Sequence, residues 1–197
     1  MQELTKDEML MYFEEINRRL ATLDKHGEIL IAGGAALTMV FNARNSTRDI
    51  DAIFQPTEDM RKITKEIASQ FDLPEDWLND GVKGFITEKM KQEICLKLTN
   101  LTVSNIDAVG LLAMKLTSAR VDTKDMEDSI FLMKLLNIRE KKVLFAIIEK
   151  YTHPNQRTIA SKYFTQEAFE KHIKGLNPRE QTTARENAQI PDDDIIP

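Results

Sequence analysis

The chain has 197 residues, 42% hydrophobic and 30% charged, with a net charge of −5. That length and balance allow one sizeable core and a second small helical unit, and exclude a fibrous chain or a globally basic, polyanion-binding surface. The single cysteine, Cys95, cannot form an intramolecular disulfide. With no apolar run near the roughly 18 residues of a membrane span and no signal-peptide pattern in MQELTKDEML, a cytoplasmic protein with no membrane association is expected.

From Thr5 to Lys25, Met9, Phe13, Ile16, Leu20 and Leu23 recur at helical spacing, and Gly27 reads as the helix stop. Glu28 to Ala32 is strand-like. Gly33-Gly34 then turns the chain into AALTMVFNAR, a run of helix formers. Asn45-Ser46-Thr47 predicts a turn, and RDIDAIF (48–54) a strand whose alternation sets Asp49, Asp51 and Ile53 on one face and Ile50, Ala52 and Phe54 on the other.

Pro56-Thr57-Glu58-Asp59 opens a helix to Gln70, and Pro74-Glu75-Asp76 a short helical turn carrying Trp77. Gly81 and Gly84 mark a loop. EICLKL (93–98) and LTVSNI (101–106) read as paired strands, after which Asp107 caps the first of several helices. The expected architecture is α+β: a small mixed sheet with helices over 1–106, a helical region over 107–175, and a flexible acidic tail over 176–197.

Residues 31 to 54 carry the chemistry. Glycines between strand and helix let backbone approach a ligand closely, and a helix start offers N–H groups to phosphate. Magnesium prefers carboxylate oxygens and keeps several waters, which suits Asp49 and Asp51 on one strand face. Carboxylate-held metal beside a phosphate cradle is the arrangement that accelerates displacement at phosphorus. Gly33 and Gly34 are therefore the candidate nucleotide-binding residues, and Asp49 and Asp51 the candidate catalytic and metal-binding ones, with Mg2+ or Mn2+ as cofactor and a nucleoside triphosphate as substrate.

The pattern GGA at 33–35 followed by DID at 49–51 resembles the nucleotidyltransferase superfamily related to DNA polymerase beta. Thirteen residues separate Ala35 from Asp49, and Ala stands at position 35 where many members have Ser, which removes a hydroxyl contact to phosphate. With IAGGAALTMVFNARNSTRDIDAIF, WLNDGVKGF and LLAMKLTSARVDTKDMEDSIFLMKLL, the resemblance extends over residues 28–136, to a bacterial family of uncharacterised nucleotidyltransferases related to abortive-infection and toxin-antitoxin enzymes. It implies a nucleotidyltransferase fold, Lys115 as a nucleotide-binding, phosphate-contacting residue and Asp125 as a downstream catalytic acid. It also implies an acceptor RNA or protein and an antitoxin protein as partners. Asp128 shares the helix face of Asp125. Glu93 is the candidate for a third acid on a central strand, and Arg48 and Arg120 are candidate phosphate contacts.

Other features read as structure. His26, His153 and His172 are scattered and lack cysteine partners, which excludes a zinc pattern, and Trp77 reads as a core anchor. Two rival readings stay open at this level. One is a noncatalytic module that keeps the fold and binds a nucleotide or a protein, favoured by Ala35. The other is a helical interaction protein acting through residues 107–173.

Overall fold

The computed structural model describes residues 3–118 and 123–176. The acidic tail expected at the C-terminus lies, from residue 177 on, outside the described residues. The chain forms two compact units, Met1–Leu111 and Leu112–Pro197.

In the first unit, β1 (Leu4–Thr5) leads into α1 (Lys6–Thr22), and the pattern continues through β2 (Gly27–Ile31), α2 (Gly33–Met39), β3 (Ser46–Thr47), β4 (Ile50–Gln55), α3 (Thr57–Phe71), β5 (Leu78–Asn79), β6 (Gln92–Lys97) and β7 (Leu101–Ile106). Five strands form a mixed sheet in the order β5-β4-β2-β7-β6, in which β2 runs antiparallel to β4 and parallel to β7. β1 and β3 make a separate two-stranded clip, Leu4 opposite Thr47. This is the α+β arrangement that the sequence predicts.

The register explains which face is the core. Phe54, Ile29 and Val103 lie side by side across the sheet, as do Ala52, Ile31 and Asn105, and all six are buried. Apolar residues of α1 (Met9, Phe13, Ile16, Leu20) and α3 (Met60, Ile63, Ile67) are buried with them. On the other face Leu30, Asp51, Ile53 and Ser104 stay half-buried. The strand alternation of residues 50–54 is thus as expected, with Asp51 on the less buried face.

Several boundaries shift for physical reasons. The first helix ends at Thr22, not at Gly27: Asp24 takes the left-handed conformation (φ 51°) and Lys25 donates its N–H to the Leu20 carbonyl. Gly27 instead begins β2, where an added Cβ would collide with the Leu20 side chain and crowd Leu101 and Met60 at 3.4 Å. The helix after the glycines is shorter than its propensities suggest, because Asn42 adopts φ 50° and Ala43 N–H returns to the Leu37 carbonyl. The Ser46-Thr47 turn is a strand because Leu4-Thr5 pairs with it. Pro74 to Asp76 form a turn, not a helix, and deliver β5, a strand that local sequence does not signal.

α4 (Ala108–Ser118) opens with Asp107 Oδ1 accepting from Gly110 N–H at 2.9 Å. In the second unit, α7 (Ile159–Lys174) packs on α5 (Thr123–Leu135) and α6 (Lys141–Tyr151). Leu132, Met133, Leu144, Ile148 and Phe169 are buried there. His172 is a core histidine whose Nε2 meets the Ile138 carbonyl at 2.8 Å. No helix among the described residues is long and apolar enough to cross a membrane.

Trp77 is fully buried, stacks edge-on against Tyr12 at 5.2 Å and donates its indole N–H to the Thr64 carbonyl at 3.1 Å. It joins α1 and α3 to the root of β5. Trp77→Ala is expected to lower stability by about 3–5 kcal/mol in urea denaturation.

Candidate functional site

The acids of the first unit sit where β4 begins. The antiparallel register that sets Ile31 opposite Ala52 continues one step further, with Ala32 N–H donating to the Asp51 carbonyl at 2.9 Å. The next residue, Gly33, has φ +55°, which an L side chain rarely adopts, and a Cβ there would stand 2.9 Å from Asp51 Oδ2. The glycine backbone therefore lies directly against the Asp51 carboxylate. Asp49 precedes the strand by one residue, in a bend, and its carboxylate is reached by the side chain of Asn79, the residue opposite Asp51.

Gly34 has a separate reason to be glycine. A Cβ would overlap the hydroxyl of Thr47, and would sit 3.2 Å from an Arg44 guanidinium nitrogen. Thr47 is buried and hydrogen-bonds through Oγ1 to the Asp49 carbonyl at 3.2 Å. The β1–β3 clip thus seats Thr47 under the glycine turn and steadies the approach to Asp49. Ala35 is fully buried, so this side chain faces packing rather than a ligand.

Asn79 extends the row of polar groups. β5 runs parallel to β4 with Asn79 opposite Asp51, and its Nδ2 donates to Asp49 Oδ2 at 3.4 Å while Oδ1 accepts from Gly81 N–H at 3.0 Å. Beside it, Asp80 accepts from Lys83 at 2.6 Å and Arg61 at 2.9 Å, and these bonds hold its carboxyl below the usual carboxylate range.

The second unit holds a different charged group. Lys115 Nζ lies 2.5 Å from Asp125 Oδ1 and 3.0 Å from Asp128 Oδ2, with all three side chains largely buried. Ser118 Oγ adds a contact to Asp125 at 3.4 Å. A lysine inside LLAMKL is stable here because it pairs with two acids brought onto one side of α5 by their spacing of three.

The fold thus brings Gly33, Gly34, Asp49 and Asp51 together, and separately joins Lys115 to Asp125. Asp128, the less favoured acid, shares the lysine at a longer distance. Glu93 does not join the first group: β6 is an edge strand, Glu93 is exposed, and its register partner Asn105 lies on the face opposite Asp51. Arg48 is exposed, and Arg120 lies outside the described residues. Sequence reading missed Asn79, Thr47 and Arg44. Asn79-Asp80-Gly81 carries only a turn signal, and the roles of Thr47 and Arg44 arise from packing against Gly34.

A mixed α+β sheet thus sets a strand–glycine–helix connection beside an acid-bearing strand. The chain belongs to a family of nucleotidyltransferases of unknown function (DUF6036), whose profile matches residues 7–174. It is similar to an antigenic nucleotidyltransferase-like protein from Paracoccidioides brasiliensis of known crystal structure, at 12% identity and a TM-score of 0.47, over 95% of this chain and 96% of that one. No curated protein matches it.

Two sets of substitutions check this geometry. Gly34→Ala is expected to lower stability by about 1–3 kcal/mol through overpacking against Thr47, and Thr47→Ala in the same chain to restore part of the loss, read by thermal denaturation. Lys115→Met removes a buried cation that pairs with two carboxylates and is expected to cost on the order of 3 kcal/mol, whereas adding Asp125→Asn and Asp128→Asn recovers part of it.

Proposed function

We propose that this protein transfers a nucleoside monophosphate from a nucleoside triphosphate to a hydroxyl acceptor, an RNA end or a protein side chain, in a reaction dependent on Mg2+ or Mn2+. The observation that carries the reading is that the Asp51 carboxylate fills the space beside Gly33, 2.9 Å from where a Cβ would stand, with Asp49 two residues before it.

The residues suit a hard divalent cation. Asp49 and Asp51 offer carboxylate oxygens, and both are half-buried rather than sealed in the core. Among the described residues no group of three or more His, Cys, Asp or Glu is gathered as a metal cage. Such a pair fits magnesium, which is typically held by one or two carboxylates and completes its shell with phosphate oxygens and water. When bound, the cation supplies charge neutralisation at the phosphates.

The chain does the rest. Gly33 and Gly34 bring backbone close to the triphosphate, with Arg44 beside the turn as a further cation. The acceptor oxygen bonds to the α-phosphorus and its bond to the bridging oxygen breaks. Pyrophosphate leaves with the electron pair, and the acceptor proton passes to a carboxylate of the Asp49–Asp51 pair. The roles implied for Lys115 and Asp125, phosphate contact and downstream acid, belong to the same proposal. So does a toxin-antitoxin setting with an antitoxin protein as partner, supported by the family resemblance. A cytoplasmic location suits the lone, half-buried Cys95, whose thiol is pushed up by burial.

A second reading, a noncatalytic nucleotide-binding module, is favoured by Ala35, which offers no hydroxyl, and by the engagement of Lys115 with two acids. Incubation with each labelled nucleoside triphosphate, Mg2+ and total RNA or lysate protein separates the two. Labelled acceptor is expected with the wild type, and at least a hundredfold less with the Asp49→Asn, Asp51→Asn double variant, an estimate set by the loss of charge stabilisation at phosphorus. Equal labelling by both proteins would sink the assignment. No labelling, with an NTP-dependent rise in melting temperature, would favour the binding module.

A further inference from the structure

We infer that Asn79 is a positioning residue for Asp49, tying the acidic start of β4 to the backbone of the loop that follows β5. The functional consequence rests on the metal-holding role proposed for Asp49.

The argument begins with the register. β5 is only two residues long, yet its parallel pairing with β4 sets Asn79 opposite Asp51 and therefore on the same face of the sheet. Trp77 anchors it from behind: the Trp77 carbonyl accepts from Ile50 N–H at 2.7 Å while the indole is buried. The backbone at Asn79 is thus fixed relative to the acids before its side chain is considered.

The side chain then makes contacts that no other residue type of its size can make together. Nδ2 donates to Asp49 Oδ2 at 3.4 Å and also reaches the Asp76 carbonyl at 3.5 Å, while Oδ1 accepts from Gly81 N–H at 3.0 Å. An amide supplies donor and acceptor on one short group. Rotating it end for end would set oxygen against the Asp49 carboxylate and NH2 against the Gly81 N–H, so the neighbours fix its orientation. A carboxylate at this position could serve Gly81 but would repel Asp49. The loop side is also held: Arg61 of α3 and Lys83 both bond Asp80, and a Cβ on Gly81 would come within 3.1 Å of Asn79 Oδ1.

Asp49 lies outside the regular part of β4, so strand hydrogen bonding alone does not orient its carboxylate. The Asn79 amide is one partner that does, in the way that outer partners orient metal-ligating carboxylates. Its contact with Gly81 makes that orientation sensitive to the loop.

The test compares full-length wild type with Asn79→Ala, each with and without Asp49→Asn, by Mn2+ titration followed through the paramagnetic resonance of the free ion. Amide exchange of Gly81 is measured in metal-free protein alongside. Asn79→Ala is expected to weaken Mn2+ binding about tenfold and to speed Gly81 exchange several-fold, while Asn79→Asp, which keeps the acceptor, retains slow Gly81 exchange. In the Asp49→Asn background, Asn79→Ala is expected to cause no further loss of Mn2+ affinity. The same loss in both backgrounds, or equal affinity of Asn79→Ala and wild type, overturns the inference and leaves the roles of Asp49 and Asp51 standing. If Mn2+ binding by the wild type is unchanged by Asp49→Asn with Asp51→Asn, the site reading itself falls. Gly81 exchange then upholds or overturns the structural tie by itself.

Discussion

The backbone hydrogen bond from Ala32 N–H to the Asp51 carbonyl fixes everything around the candidate site. It closes the β2–β4 ladder at the point where β2 ends and the chain turns, so that Gly33 must lie against the first acid of β4. A one-residue slip of that ladder would move Asp51 to the face where Ile31 and Ala52 are buried. The apolar register thus enforces the polar one. Burial of Phe54, Ile29 and Val103 under α1 and α3 penalises every alignment except the one that leaves Asp51 accessible.

From that bond the surroundings follow in sequence. Gly33 has to be glycine because its φ is positive and the carboxylate occupies the space beside it, and Gly34 because Thr47 does. Thr47 is there because the N-terminal residues Leu4-Thr5 pair with Ser46-Thr47. On the opposite side of β4, the buried Trp77 holds β5 in place and presents Asn79 beside the acids. Stability and site geometry are therefore carried by the same contacts, and mutations in the apolar core are transmitted to the carboxylates through backbone position.

The charged groups of the two units work differently. Lys115, Asp125 and Asp128 are largely buried, and each depends on the others because an unmatched charge in that setting is strongly destabilising. Arg61, Asp80 and Lys83 are substantially exposed, so water screens them and their contribution to stability is small. What they provide is placement, since Arg61 belongs to α3 and brings the loop after β5 back onto that helix.

Local sequence was enough to determine the alternation of β4, the change from strand to helix at Gly33-Gly34, the capped helix after Asp107 and the nearness of Asp49 and Asp51 along the chain. Each of these is written in spacing, and spacing survives without a fold. Tertiary structure alone decided that Gly27 belongs to a strand and not to a helix end, because the deciding atoms are on Leu20, Leu101 and Met60. It also decided that Ser46-Thr47 pairs with the N-terminus, that Glu93 is turned away from Asp51, and that Asn79 joins the acids from a two-residue strand. These outcomes depend mostly on partners distant along the chain, whose arrival is fixed by hydrophobic burial and strand register rather than by local propensity.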